Sequence, residues 1–248
     1  MKRDELVSTL NQLLDNSRFR DYCPNGLQVE GREEVRRIVA GVTASQALLD
    51  RAVADSADAV LVHHGYFWRG EDACITGVRR RRLATLILND LNLIAYHLPL
   101  DAHPQLGNNA QLAARLGWEA TGRFGEQELA WQGNDPCGDT AADLAARLAR
   151  VLGRVPLLVG PQERRVRRLG WCSGGAQAYF EEAVTLGLDA YVCGEISEQN
   201  VHLAREAGVV YLACGHHATE RFGLEALTAY LVGQFGLECT FVDIDNPV

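Results

Sequence analysis

Seven histidines stand among the 248 residues, and five of them follow short apolar runs. His63 and His64 come after AVLV and before Gly65, His97 closes LIAYH, and His216 and His217 follow YLACG. Apolar runs bounded by turn residues read as buried strands, so these imidazoles emerge where strands end. Two carboxylates keep step with them: Asp101 lies four residues after His97, and Glu220 four after His216. Imidazole and carboxylate without thiolate form a donor set for zinc, manganese, iron, cobalt or nickel.

The spacing suggests how each group is presented. Neighbours on a strand point to opposite faces, so His63 and His64 suit two different ions, or one ion and one supporting bond. As an isolated pair they would equally serve to tie down a loop. Pro99 restricts its predecessor, Leu98, to extended backbone, so His97 and Asp101 are expected from a shaped loop and not from successive helical turns. In GHHATE, Gly215 ends a strand and a helix begins at once, which puts His216 and Glu220 on one face. The five donors His63, His64, Asp101, His216 and Glu220 exceed the three that one catalytic zinc takes from protein. A pair of divalent ions about 3.5–4 Å apart, bridged by a carboxylate, accommodates them. Glu195 and His97, each at a strand end, are the candidate catalytic groups for moving a proton, with orientation of a ligand as the alternative for either.

The elements that must position these residues alternate between strand and helix, an α/β pattern. Strands are expected at 36–42, 58–62, 91–96, 166–172, 190–193, 209–213 and 239–243. Helices are expected at 45–55, 78–89, 109–116, 139–152, 177–186 and 218–234, with an amphipathic helix at the N-terminus. The segment from Arg36 slides onto that from Arg167, a shift of 131 positions, without a gap, and matches Arg36, Arg37, Gln46, Ala47, Ala52, Val53, Asp58 and Ala59. Glu195 then takes the place of His64. After a deletion, a shift of 119 places His97 on His216 and Asp101 on Glu220. Two related α/β repeats follow, 1–125 and 126–248, with the Gly- and Pro-containing stretch Gly125 to Asp139 as the boundary.

Composition narrows the function. A net charge of −8 leaves little positive field for a nucleic-acid backbone. The local exceptions, Arg79 to Arg82 and the group Arg164, Arg165, Arg167 and Arg168, read as a solvated helix face and a charged strand edge. Seven scattered cysteines without a CxxC pair argue against a disulfide framework or a thiolate zinc site. No segment has the roughly 20 apolar residues of a membrane span, and the N-terminus lacks the pattern of a secretory signal, so the cytoplasm is the expected location. The turns Gly41 to Gln46 and Cys172 to Gln177 could offer helix N-terminal amides to an anion, with ordinary capping as the leading reading.

PNGLQVEG, GVTAS, ADAVLVHHGYFW, HLPLDAH, NNAQLA, GEISEQ and GHHATER together resemble the GTP cyclohydrolase 1 type 2 homolog family, from about Leu6 to Pro247. The resemblance implies two intertwined α/β repeats with mixed sheets. It also implies a toroidal homohexamer, a trimer of dimers, with two divalent ions per subunit. By matching motifs, the family's ligands fall on His63, His64, Asp101, His216 and Glu220. The expected activity is metal-dependent hydrolysis of a nucleotide or related heterocycle. The alternative is a metal-binding scaffold or metal-delivery protein without turnover.

Overall fold

The computed structural model describes residues 1–248. In chain order the elements are α1 (Arg3–Leu13), β1 (Gly26–Val29), β2 (Arg37–Thr43), α2 (Gln46–Ala54), β3 (Ala59–His64), α3 (Gly77–Leu88), β4 (Asn92–Ala95) and α4 (Leu98–Ala102). There follow α5 (Asn108–Leu116), β5 (Glu119–Phe124), β6 (Ala130–Asn134), α6 (Ala141–Leu152), β7 (Leu157–Val159), β8 (Arg168–Cys172), α7 (Phe180–Thr185) and β9 (Ala190–Cys193). The last are α8 (Glu198–Ala207), β10 (Val210–Ala213), α9 (His216–Thr219), α10 (Arg221–Phe235) and β11 (Glu238–Phe241). No helix is long and apolar enough to cross a membrane.

Two compact units result. The first comprises Met1–Leu106 with Gly223–Asp245, the second Gly107–Phe222 with Asn246–Val248. The expected division at 125/126 falls inside the second unit, because residues on both sides of it belong to one antiparallel pair, β5 against β6.

The first unit holds a five-stranded mixed sheet of order β1-β4-β3-β2-β11. Strands β4, β3, β2 and β11 are parallel, and β1 is antiparallel to β4. Parallel strands buried on both faces read as unbroken apolar runs, as AVLV does. Its alternate residues serve different cores: Ala59 and Leu61 pack with Leu6 and Leu10 of α1 and Leu224, Leu227 and Leu231 of α10. Val60 and Val62 pack with Leu48 and Leu49 of α2 and Leu83 and Leu86 of α3.

The second unit holds a six-stranded mixed sheet of order β5-β6-β8-β9-β10-β7, parallel only across β8, β9 and β10. Leu169, Trp171, Val192, Val210 and Leu212 line one core with Leu144, Leu148 and Leu152 of α6. Thr140 caps α6 by accepting the Asp143 amide, and Gly153 ends it in the left-handed region.

The repeat is visible in detail. The Asp58 carboxylate accepts the amides of Arg36 and Arg37, both at 2.9 Å, at the entry to β2. Its counterpart Asp189 accepts those of Arg167 and Arg168 at 3.1 and 3.0 Å, at the entry to β8.

Several expectations about local structure are revised. His97 and Asp101 are joined by a helical turn, α4, not a loop, because proline is tolerated in the first turn of a helix, where its missing N–H has no partner to lose. The helix expected from 177 to 186 starts as a 3₁₀ turn, Gln177–Tyr179, before α7. The one expected from 218 to 234 is two helices that meet at Glu220. Ser45 caps α2 through the Leu48 amide at 3.3 Å, so the turn at Gly41 to Gln46 is an ordinary cap.

Candidate metal half-sites

In both units the candidate residues stand at the carboxyl ends of parallel strands, where α/β sheets place ligands. In the first unit, His63 is wholly buried and its Nδ1 lies 2.9 Å from the Tyr96 carbonyl oxygen. A carbonyl only accepts, so Nδ1 carries the proton and Nε2 bears the lone pair. That Nε2 lies 3.5 Å from Oδ2 of Asp101, which is only 6% exposed. His64, partnered in register with Thr43, places Nδ1 3.2 Å from the Thr43 hydroxyl.

The two rings do not diverge as strand geometry suggests. Their centroids are 4.6 Å apart and both approach the His97 ring, at 5.0 and 5.7 Å. The reason is position: His64 is the last residue of β3, and the chain turns at Gly65. A Cβ at Gly65 would collide with the Gln28 side chain, whose Oε1 accepts the Tyr66 amide at 2.6 Å. A ring nitrogen from each of His63, His64 and His97 can reach one ion.

His97 is fixed by Asp21, which no sequence motif singles out, and by Asn25 of PNGLQVEG. Its Nδ1 lies 2.7 Å from Oδ1 of Asp21, and its amide donates to Oδ1 of Asn25 at 2.7 Å. Asp21 also accepts the Leu98 amide at 3.0 Å and the Asn25 side-chain amide at 2.8 Å. Burial alone would raise the Asp21 carboxyl, but the hydrogen bond and charge of His97, with Asn25 and the Tyr22 amide, bring it down to about 2. The neighbouring Cys23 thiol is pushed up to about 12 by burial and by the Asp21 charge.

The Asp21 shift has a sign that can be tested. A carboxyl held below its ordinary 3.8 contributes stability above that value and loses it as pH falls towards 2. Asp21→Asn is expected to cost roughly 1–2 kcal/mol at pH 7, allowing for partial hydration. Urea midpoints should show the gap between variant and wild type narrowing by about pH 3; a gap independent of pH would contradict the assignment.

In the second unit, His216 opens α9. Its Nδ1 lies 2.7 Å from Oε1 of Glu195, and its Nε2 lies 3.2 Å from Oε2 of Glu220. Glu220, at the end of α9, is 2% exposed. Glu195 is held in turn by the Gln177 side-chain amide at 3.2 Å. Burial would lower the His216 ring, but the bond and charge of Glu220, then those of Glu195, carry it up to about 9. A ring between two carboxylates is a cation site already half built.

The turn at Cys172 to Gln177 packs against the Glu220 carboxylate. Gly174 has φ +65°, and a Cβ there would collide with Glu220 Oε1 and stand 3.2 Å from His216 Nε2. Its amide donates to the Thr219 hydroxyl at 3.0 Å, which binds the turn to α9.

The donor chemistry of both half-sites fits a divalent cation. Ring nitrogens held by a carbonyl or carboxylate on the far side are how metal-binding histidines are usually oriented. The buried carboxylates of Asp101 and Glu220 complete the set.

Comparison with known proteins agrees in extent. The family model described as Duf34/NIF3 (NGG1p interacting factor 3) matches residues 1–247. A Pseudomonas aeruginosa protein named GTP cyclohydrolase 1 type 2 homolog is 54% identical over 245 residues, 98% of this chain and 97% of that one. An Escherichia coli protein of the same name is 51% identical over 248 residues, the whole of both chains. A solved structure titled as protein ybgI, unknown function, superposes with a TM-score of 0.96 at 50% identity, again over both whole chains.

Proposed function

Because this chain belongs to the Duf34/NIF3 family, we propose that His63, His64, Asp101, His216 and Glu220 hold two divalent cations and that the protein is a metal-dependent hydrolase of a nucleotide or related heterocycle. The observation that carries this reading is the arrangement around His216. Glu195 holds Nδ1, Glu220 faces Nε2, and the chain passes at Gly174 without a side chain. Such a cradle keeps a buried carboxylate and an imidazole poised for a cation, at a cost that a purely structural role would not require. The family resemblance extends the reading to a cytoplasmic homohexamer.

Divalent ions bound there would supply Lewis acidity and bring the pKa of a water towards neutrality. The protein's part is orientation and proton transfer. Glu195 has both carboxylate oxygens engaged, one by His216 and one by Gln177, so its role is to set the tautomer and direction of His216. His97 is the better proton carrier. Asp21 holds its Nδ1, and the ring lies against His63, His64 and the edge of Trp68, 5.0 Å away. Trp68 offers the apolar surface on which a heterocycle would lie.

The relatives carry the name GTP cyclohydrolase 1 type 2 homolog, which puts GTP first in a screen. Protein reconstituted with each candidate metal would be offered GTP, other nucleotides, simple phosphoesters and cyclic amides. Turnover is expected to need added metal and to fall about a hundredfold in Asp101→Asn and in Glu220→Gln, which remove a ligand charge with little change of shape. Equal residual rates in wild type and both variants would mark a contaminant and favour a metal scaffold without turnover.

A further inference from the structure

The arginines between 164 and 168 do not share one role. Arg164 pairs with Asp189 at 2.9 Å and donates to the Gly208 carbonyl. Arg168 donates to the carbonyls of Leu186 and Gly187, which end α7. Arg165 and Arg167, the alternate residues, turn instead into a cavity of about 480 Å³ that they line with Asn134, Asp135, Pro136, Cys137 and Gly138. The one side-chain bond between them is that of Arg165 to the Gly138 carbonyl, at 3.1 Å, and neither has a carboxylate partner.

The acids nearby are already engaged. Asp135 is buried against Arg147 and accepts the Cys137 amide, and Asp139 lies 3.4 Å from Arg147 Nε. The first amides of α6 donate to the Arg164 and Gln162 carbonyls, so they add nothing to the cavity. Two exposed arginines thus line a space of small-molecule size without a carboxylate partner. Residues two apart on extended chain sit roughly 7 Å from each other, so their forks can grip different oxygens of one tetrahedral group, whereas a single carboxylate matches one fork.

We propose that the cavity between the Asn134–Gly138 loop and residues 165–167 binds a phosphate-bearing small molecule through Arg165 and Arg167. The site lies at the entry to β8, and Gly174 lies beyond the exit of that strand. The strand residues put roughly 16 Å between them, too far for the bound phosphate to reach His216. The proposal therefore does not depend on what the metal half-sites do.

Cys137 supplies a reporter, since its exposed thiol lines the cavity and lies 3.4 Å from an Arg147 nitrogen. Cys74, also exposed, lies beside Asp72 in the first unit and serves as the internal control. Alkylation of the whole protein would be followed at both cysteines with neutral iodoacetamide and anionic iodoacetate. The assays would be run alone and with inorganic phosphate, a nucleoside monophosphate, succinate, or chloride at matched ionic strength. Phosphate and the nucleotide are expected to protect Cys137 saturably and Cys74 not at all. The preference of Cys137 for iodoacetate should fall about tenfold in Arg165→Gln/Arg167→Gln. Arg36→Gln, an exposed change of charge in the first unit, should leave both results intact. Protection by chloride or succinate equal to that by phosphate would overturn the proposal, as would undiminished protection in the double variant. Calorimetric titration with phosphate gives an independent reading, and absence of saturable heat at tens of millimolar would also overturn it.

Discussion

Replacing His216 and Glu220 together by alanine is expected to strip most of the metal from a protein that otherwise retains about two divalent ions per chain. The double change matters. Removing one partner alone would leave a buried group uncompensated, at a cost of about 3–5 kcal/mol, and would confuse loss of metal with loss of fold. Removing both takes out the acid and the base that face each other at 3.2 Å. Elemental analysis of the purified variant, with circular dichroism to confirm the fold, makes the measurement. Full occupancy in a folded double variant would sink the assignment of these two ligands.

Gly174→Ala should have the second largest effect, and a second glycine separates its causes. Gly153 ends α6 at φ +70°, and nothing lies within 4 Å of where its Cβ would be. Gly153→Ala therefore carries only the strain of the left-handed backbone, about 1–2 kcal/mol, and should bind metal normally. Gly174→Ala has a similar backbone strain at φ +65° and also drives a methyl group into the Glu220 carboxylate. Glu220 cannot yield without leaving His216. Metal affinity is expected to fall about 10- to 100-fold in Gly174→Ala and to be unchanged in Gly153→Ala, with the larger loss of melting temperature in Gly174→Ala. Equal metal affinities in the two variants would remove Gly174 from the site.

Much of this arrangement is legible from sequence where signals are local. The run AVLV before His63 declares a doubly buried strand, and the gapless match from Arg36 to Arg167 declares a duplication. Residues that act across long separations are not legible in the same way. Asp21 reaches His97 over 76 positions, and nothing in RDYCPN marks that bond. Strands β1, β5 and β7 escape because they are short and partly exposed edge segments without apolar alternation. Helix α8 does leave a signal, since Ser197 and Asn200 form a reciprocal cap and Gly208 closes the far end. The helical turn α4 is hidden by Pro99, because the restriction that proline places on its predecessor weakens at a helix start. Glu195 stands out by its place in the repeat, but its hydrogen bonds to His216 and Gln177, over 21 and 18 positions, leave no local mark in the sequence.

Asp58 stands at the opposite end of β3 from His63 and His64, and Asp189 at the opposite end of β9 from Glu195, and their consequence lies in the alignment of the chain. Each grips two successive amides of the neighbouring strand, so each sets which residue faces which along the whole ladder. A slip of one residue would turn every side chain of a strand to the other face. In the first unit it would carry Thr43 away from His64. The accuracy of an imidazole is thus secured roughly 20 Å away, by a carboxylate that touches no ligand and whose loss would be felt as misaligned strands before it was felt as altered chemistry.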